Sequence, residues 1–430
     1  MTEFVPAVGG MRMVPAPDPV ARDYLLLALR LDQHRPGLVD AYYGPADLKA
    51  QADMESLRPP ARLADDAAAL SKRLPTEVED AERRAWFHAQ LDALEVQARV
   101  AAGEVVAYPE LVARCFGRAM ERLDDAIFDE AAAELAATLP GVGSLEERLA
   151  AWDQALTIEP DRVQGVADTL AATFRGRAEA LFGLPDGEGV RVSTIRDRPW
   201  GGYNWFEGGR RSRIEINLDT AVTVPGLIHL MAHETYPGHH LEMATKEARL
   251  VDGGGHTELA ILLNNTPECL LHEGLADLGY RFAVPPIDEV ETIREVIERS
   301  GLAISSDRGA VTAIATAQGA IRRARARLKG SSGNAAFMRH ADGRSHEEVA
   351  AYLVEVGRRR PDQAEQQLKF IEDPIWRTYV FVYCEGEVLL GRWVDAVPEA
   401  EQPARFARLL SEARSPSSIE AELSLPSGNP

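Results

Sequence analysis

Six of the ten histidines in the chain fall within residues 229–272, and this cluster carries the clearest chemical signal in the sequence. Its densest part is HLMAHETYPGHHLEMATKEARL, residues 229–250. Histidine and glutamate are ligands that zinc takes in hydrolases, and a glutamate beside the first ligand can serve as the general base. The cluster therefore predicts a zinc-dependent hydrolase with His233 and Glu234 at its centre.

The spacing of the histidines departs from the common zinc motif, in which two histidines lie four residues apart on one helix. Here Pro237 is the fourth residue after His233, and the next histidines come six and seven residues on. On a straight helix they would lie about 9 and about 10.5 Å along the axis, too far to share one ion with His233. A kink or a looped-out insertion at Pro237-Gly238 would bring His239 or His240 back to the metal. We favour His239, for which two extra residues are absorbed as a bulge, and keep His240 open.

His229 offers a competing arrangement, because it lies four residues before His233 and would form a regular helical pair with it. That pair would leave Pro237-Gly238 and the two histidines after it without a role. The kinked arrangement is preferred for this reason.

A second segment, NNTPECLLHEGLADLGYRF, supplies acidic groups at residues 264–282. Glu273 and Asp277 are four residues apart and share one face of a probable helix. Zinc hydrolases commonly take an acidic third ligand and leave one position open for water. Glu273 is predicted to be that ligand of a single Zn²⁺, and Asp277 to accept a hydrogen bond from a ligand histidine and fix its tautomer.

Hydrolysis of an amide also needs a donor for the oxyanion that develops in the transition state. Tyr379 and Tyr383, four residues apart on a predicted helix, are the best candidates for catalytic donors. Tyr203, in a glycine-rich stretch, is the alternative.

Helices must position most of these groups. Residues 18–183 carry Ala, Leu and Glu at helical spacing, and helical patterning returns near Pro225 and runs, with breaks, to about residue 412. Between the two lie candidate strands at 190–195 and 211–218, joined by PWGGYNWFEGGR, and the second strand is a candidate edge for pairing with an extended peptide. The prediction is a mainly α, two-lobed helical body with a small β-hairpin or edge sheet beside a kinked active-site helix. Its N-terminal scaffold domain is residues 1–185, and its catalytic domain is residues 186–430.

Composition narrows the classes of partner. The net charge is -20, from 47 basic and 67 acidic residues, and this surplus of negative charge argues against a nucleic-acid partner. No apolar stretch approaches the roughly 18 residues that span a bilayer, and the N-terminus does not resemble a signal peptide. The three cysteines lie far apart without metal-type spacing. These features predict a cytoplasmic protein without a membrane partner.

The motif His-Glu-x-x-Pro-Gly-His-His at residues 233–240 is followed some thirty residues later by Asn-Thr-x-Glu and Glu-Gly-x-Ala. Together these segments resemble the bacterial domain of unknown function family 885, which is viewed as related to thermolysin-type helical zinc peptidases. The resemblance covers about residues 198–395. Two departures are Leu275, where the family often has a large aromatic residue, and Asp362, where glycine is usual after the proline. Neither removes a candidate ligand.

The resemblance implies that His233, Glu273 and either His239 or His240 bind the metal, with Glu234 as the base. The predicted function is a metallopeptidase-like hydrolase of peptide or amide bonds. Glu234 would deprotonate a water and pass the proton to the leaving amine. Its substrate would be a small peptide or an amide-containing metabolite. Two alternatives are a hydrolase of non-peptide amides with the same metal site and a catalytically inactive metal-binding scaffold.

Overall fold

The computed structural model describes residues 14–198 and 200–424 and confirms the predicted mainly α architecture. The helices are α1 Pro19–Asp32, α2 Ala46–Met54, α3 Pro60–Glu77, α4 Ala81–Ala101, α5 Tyr108–Phe116, α6 Asp125–Thr138, α7 Leu145–Ala155, α8 Pro160–Phe182, α9 Val224–Glu234, α10 His239–Lys246, α11 Pro267–Ala283, α12 Glu289–Arg299, α13 Arg308–Lys329, α14 Ser331–His340, α15 His346–Glu355, α16 Pro361–Glu372, α17 Val382–Asp395, α18 Gln402–Ser411 and α19 Pro416–Ser424. The strands are β1 Val39–Tyr42, β2 Gly189–Ile195, β3 Gly202–Gly208, β4 Arg211–Asn217 and β5 Ile261–Leu263. One turn of π-helix, Glu247–Asp252, continues α10, and short 3-10 segments cover Thr257–Ala260, Ala303–Ser306, Tyr379–Phe381 and Glu399–Glu401.

The N-terminal helices α1 to α4 enclose an aromatic core. The Asp80 side chain caps α4 by accepting a hydrogen bond from the backbone of Arg83, which satisfies one free N–H of the first turn. Trp86 and Phe87, on the buried face of α4, both meet the Tyr24 ring edge to face. The same core includes apolar residues of β5, and β5 pairs antiparallel with β1. The N-terminal helices are thereby tied to the half of the chain that carries the histidine cluster.

A second core joins α6 to α8 with α9, α11 to α13 and α17 to α19. It contains the buried rings of Phe128 and Phe174 from the first group of helices and those of Trp393 and Phe406 from the second. Apolar packing therefore crosses the predicted domain boundary near residue 185. The division into a scaffold domain and a catalytic domain stays a prediction.

The small sheet beside α9 differs from the predicted two-stranded element. It has three strands in the order β2-β4-β3, with β2 parallel to β4 and β3 antiparallel to it. The extra strand, β3, forms inside the stretch that was expected only to join the other two. Gly208, Gly209 and Arg210 have positive φ, and this backbone turns β3 tightly into β4. The prediction of an edge strand at 211–218 is wrong, because β4 is the central strand and β3 lies at the edge that faces α9 and α10.

Helices α11 and α17 approach each other more closely than side chains would allow. A Cβ at Gly274 would overlap the backbone of Gly386, and a Cβ at Gly386 would overlap the carbonyl of Leu270. Glycine at both positions lets the two main chains touch. This contact places Glu273 on α11 beside the tyrosines that precede and begin α17.

Within the described residues, no helix combines the length and the apolar character of a membrane span.

Candidate metal centre

A break between α9 and α10 shapes the site. Helix α9 ends at Glu234, and the chain passes through a cis peptide bond between Tyr236 and Pro237 before α10 begins at His239. Across the break the amide of Gly238 donates to the carbonyl of Ala232, six residues back instead of the usual four. Two residues are therefore looped out, as the spacing of the histidines predicted. The single kinked helix is in fact two helices in succession.

Gly238 is required at this break by the closeness of the backbone. Its dihedral angles are φ -80° and ψ -142°, and a Cβ there would overlap the carbonyl of His233. The side-chain amide of Asn204, on β3, donates 2.8 Å to the carbonyl of Glu234 and so ties the end of α9 to the edge strand. The loop is thus held from both sides.

The break brings His239 to His233 and Glu273. Nε2 of His233 lies 3.5 Å from Oε2 of Glu273, and Nε2 of His239 lies 3.7 Å from Oε1 of the same carboxylate. One donor atom from each of the three residues lies within 4.8 Å of the other two, so the group could hold a metal ion. When zinc is bound tetrahedrally with bonds of about 2.1 Å, any two donor atoms lie about 3.4 Å from each other. The two nitrogen–oxygen distances fit that geometry.

Two of the three donors have protonation states that suit a cation, whereas, despite burial, hydrogen bonds with Asp277 and Glu273 raise the pKa of the third, His233, well above its usual value. Burial lowers the pKa of His239 well below its usual value, which keeps the ring neutral, and its Nδ1 is buried without a hydrogen-bond partner. Although burial opposes ionisation of Glu273, hydrogen bonds from His233 and Tyr379 lower the pKa of this carboxyl group. A neutral imidazole and an ionised carboxylate are the forms that bind zinc.

Asp277 lies where the sequence placed it. Its Oδ1 is 2.9 Å from Nδ1 of His233, so it accepts a hydrogen bond from the nitrogen that faces away from Glu273. Such a bond fixes the tautomer with Nε2 free for a metal. Lys329 Nζ, at 3.8 Å from Oδ2, balances the buried charge of Asp277.

His229 reaches the same aspartate and not Glu273. Its Nε2 lies 3.1 Å from Oδ1 of Asp277, and its ring stacks on that of His233 at 5.7 Å. His229, His233 and Asp277 therefore form a second group of donors close enough to hold an ion. In that arrangement Oδ1 of Asp277 would leave its hydrogen bond to His233, and Glu273 and His239 would have no ion to bind.

His240 is turned away from the cluster. Its Nδ1 lies 2.9 Å from the Ser212 hydroxyl and its Nε2 3.0 Å from Oε2 of Glu188, and the ring is fully buried. The Tyr236 hydroxyl donates to the same oxygen of Glu188. Both ring nitrogens of His240 are thus engaged with the sheet, and the structure brings His239, not His240, to His233.

Glu234 lies beside the three donors and is also buried. Burial, together with the nearby charge of Glu273, raises the pKa of Glu234 to about 7, while the charge of His233 opposes this rise. A carboxyl group with such a pKa exchanges a proton readily near neutrality, as a general base must. Its position after the first histidine agrees with the predicted role.

The tyrosines are arranged differently from the prediction of one helix carrying both. Tyr379 lies in the 3-10 segment before α17, and its hydroxyl donates 2.8 Å to Oε1 of Glu273. Tyr383 lies in the first turn of α17 with 40% of its surface exposed, and its ring contacts that of Tyr379 at 5.3 Å. The hydroxyl of Tyr203, the alternative donor, already donates a hydrogen bond of 2.5 Å to Asp40. Tyr379 therefore supports the carboxylate, and Tyr383 is the tyrosine left facing solvent at the site.

A buried network of charged groups next to His239 was not predicted. The His272 ring stacks on that of His239 at 3.8 Å, and its Nδ1 lies 2.6 Å from Oε2 of Glu242. Lys246 donates 2.6 Å to the other oxygen of Glu242. His239, Glu242 and His272 also form a third possible donor group, but Lys246 already neutralises its carboxylate. Within this network, the sequence indicates only the pairing of Glu242 with Lys246, because the two residues are four apart on α10.

Comparisons with known proteins define the fold and little else. No family model and no curated protein matches the chain. Two solved bacterial proteins, each described as a putative lipoprotein, are similar in structure. The one from Colwellia psychrerythraea superposes with a TM-score of 0.50 and 14% identity, covering 84% of this chain and 65% of its own. The one from Shewanella oneidensis has a TM-score of 0.46 and 11% identity, over 93% of this chain and 82% of its own, a similarity too weak to support an inference.

The chain thus spans about two thirds of the Colwellia protein with which it shares a fold, 65% of that length. The comparison contradicts the predicted cytoplasmic location, because the solved protein is described as a putative lipoprotein, and lipoproteins are not cytoplasmic proteins. The prediction of a cytoplasmic location is therefore wrong.

Proposed function

We propose that the chain is a zinc-dependent hydrolase of peptide or amide bonds and a member of domain of unknown function family 885. The observation that carries the proposal is the meeting of His233, His239 and Glu273 at zinc-like distances with Glu234 beside them. Storage of a metal needs donors but no base, so the adjacent carboxylate favours catalysis over a scaffold role. The substrate class follows from the reaction: a small peptide or an amide-containing metabolite.

Bound zinc would polarise the substrate carbonyl and make a water acidic enough to lose a proton near neutrality. Glu234 takes the proton of the attacking water and later delivers it to the leaving amine. Asp277 keeps His233 in the tautomer with Nε2 toward Glu273. Tyr383, facing solvent from α17, donates to the oxygen of the carbonyl as its negative charge develops.

The zinc content and the base are tested together. We expect the purified protein to bind one zinc per chain and to cleave members of a mixed peptide library, detected by mass spectrometry. Glu234→Gln removes the base but no donor, so it should keep the zinc and lose on the order of 10²-fold or more in kcat. Tyr383→Phe should lower kcat with little change in KM, since the donor acts in the transition state.

The chain offers a matched control in a His-Glu pair that lies outside the site, His346-Glu347. Glu347→Gln should keep both zinc and activity. A wild-type protein that binds no zinc, or a Glu234→Gln variant as active as the wild type, would overturn the proposal. Stoichiometric zinc without turnover of any library member would favour the scaffold instead.

A further inference from the structure

A groove with a volume of about 480 Å³ lies along the outer face of α11, between α13, α17 and the start of α6. Its size is within the range of pockets that hold small ligands. Carbon atoms form most of its lining, contributed by Leu123, Ile127, Leu278, Ala326, Val388 and Gly391. Val388 is 57% exposed and presents a branched apolar side chain to solvent at the groove.

The inner end of the groove reaches the candidate metal centre. Asp277, which lines this end, accepts hydrogen bonds from both His229 and His233. Tyr280, another lining residue on α11, stacks on His229 at 6.1 Å. Asp277 therefore connects the groove to Nδ1 of the His233 imidazole.

The arginines at the rim are already paired, and the lining carboxyl group of Glu387 is disfavoured as an ion, because burial and the charge of Asp277 raise its pKa. Each of three arginines has a carboxylate partner: Arg281 with Asp395, Arg322 with Glu289, and Arg327 with Glu134. The Arg322 guanidinium also lies over the Tyr280 ring, with its Cζ 4.2 Å from the ring centre. The apolar floor is what remains for a ligand to contact.

We propose that this groove binds a bulky apolar side chain of the substrate, of the size of leucine or phenylalanine, next to the amide that is cleaved. The inference rests on the proposed function for its statement about cleavage. The binding itself needs no turnover. Burial of such a side chain should favour substrates that carry it over glycine analogues by about tenfold or more.

Binding is measured first and without catalysis. The probes are N-acetyl-phenylalanine amide and N-acetyl-glycine amide, titrated by calorimetry into the full chain. Cys384 provides a second readout, because it lines the groove and is half-buried, whereas Cys115 and Cys269 are buried. We expect the phenylalanine amide to bind at least about tenfold more tightly than the glycine amide and to slow alkylation of Cys384.

Two variants localise the binding. Ala326→Trp fills the groove from α13, and its matched control is Ala313→Trp, on an exposed face of the same helix. Val388→Asp places a carboxylate in the groove with little risk to folding, because Val388 is exposed. Its control is Val105→Asp, at a position that is 97% exposed. Both groove variants should abolish the preference for the phenylalanine amide, and both controls should keep it.

The outcomes separate this inference from the proposed function. Equal binding of the two amides, or a preference that survives in Ala326→Trp and Val388→Asp, would overturn the groove proposal even if the protein hydrolyses peptides. Selective binding by a protein without hydrolytic activity would support the groove and reject the hydrolase. In an active enzyme, the peptide library should show cleavage beside Leu or Phe in the wild type and lose that selectivity in the groove variants.

Discussion

Tyr379 donates a hydrogen bond of 2.8 Å to Oε1 of Glu273, the same oxygen that faces Nε2 of His239 at 3.7 Å. Both side chains are buried, and they come from separate elements, the 3-10 segment before α17 and helix α11. A carboxylate held from outside the cluster keeps its orientation when a cation binds or leaves. The residue expected to act on the substrate thus supports a candidate ligand.

Tyr379→Phe should therefore weaken zinc binding without abolishing it. Loss of such a supporting hydrogen bond typically costs about 10- to 100-fold in metal affinity. The measurement is competition for zinc with a chromophoric chelator. Tyr352→Phe is the control, since the Tyr352 hydroxyl donates to Asp125 at an exposed position. An unchanged zinc affinity in Tyr379→Phe would show that Glu273 does not depend on this bond.

His239→Ala and His240→Ala should separate metal binding from stability. His239→Ala removes a donor, and the zinc content should fall well below one per chain with the fold intact. His240→Ala should keep the zinc but lower the free energy of unfolding by about 1–3 kcal/mol, because Glu188 and Ser212 lose a buried partner. Metal analysis and urea unfolding of both variants test this. Loss of zinc from His240→Ala, together with a loss of stability but not of zinc in His239→Ala, would contradict the geometry of the break.

Gly238→Ala should disrupt the break itself, because the added methyl group would overlap the carbonyl of His233. We expect a loss of zinc and a fall in the free energy of unfolding of about 3 kcal/mol or more. Gly176→Ala, in the middle of α8 where a Cβ meets open space, should instead stabilise the protein by about 0.5–1 kcal/mol. Calorimetric melting of both variants measures these changes in stability. A Gly238→Ala protein as stable as wild type would disprove the close contact.

Acid should loosen the C-terminal helix through Glu422. Although partial burial opposes ionisation, hydrogen bonds from Arg408, Arg414 and Trp393 lower the pKa of Glu422 to about 2. A lowered carboxyl pKa stabilises the fold fully above the unfolded value of 4.5, and the contribution disappears as the pH falls from 4.5 toward 2. After allowing for solvent screening, it should be about 1–2 kcal/mol at neutral pH.

The corresponding variant is Glu422→Gln, compared with Glu399→Gln at an exposed position. The difference in unfolding free energy between wild type and Glu422→Gln should be present at pH 7 and shrink below pH 4.5. Glu399→Gln should show no such difference. If the difference in unfolding free energy between wild type and Glu422→Gln stays constant down to pH 2, the ionised carboxylate is not the cause of that difference.

Local pattern explains which parts of the site could be predicted. The meeting of His233, His239 and Glu273 follows from residue types and from a two-residue insertion that Pro237-Gly238 signals within one short stretch. Asp277 follows from helical spacing, four residues after Glu273. Each of these inferences uses residues close together in the chain.

The features that the sequence did not predict depend on contacts between distant segments. Strand β3 exists because it pairs with β4, and PWGGYNWFEGGR is equally suited to a loop. The bond from Tyr203 to Asp40 joins residues 163 positions apart, and that from Tyr379 to Glu273 joins residues 106 apart. No local periodicity encodes such pairs, because they arise only when the helices pack. The stack of His272 on His239 is of the same kind.

The touching backbones at Gly274 and Gly386 have one more consequence. Glu273 and Tyr383 lie next to this contact on their respective helices, so the gap between them is set by two main chains rather than by adjustable side chains. Main-chain contacts do not relax by changing rotamer. The spacing between Glu273 and Tyr383 is therefore a fixed dimension of the helix pair. A single methyl group at either glycine would push the two helices apart and move Glu273 relative to Tyr383.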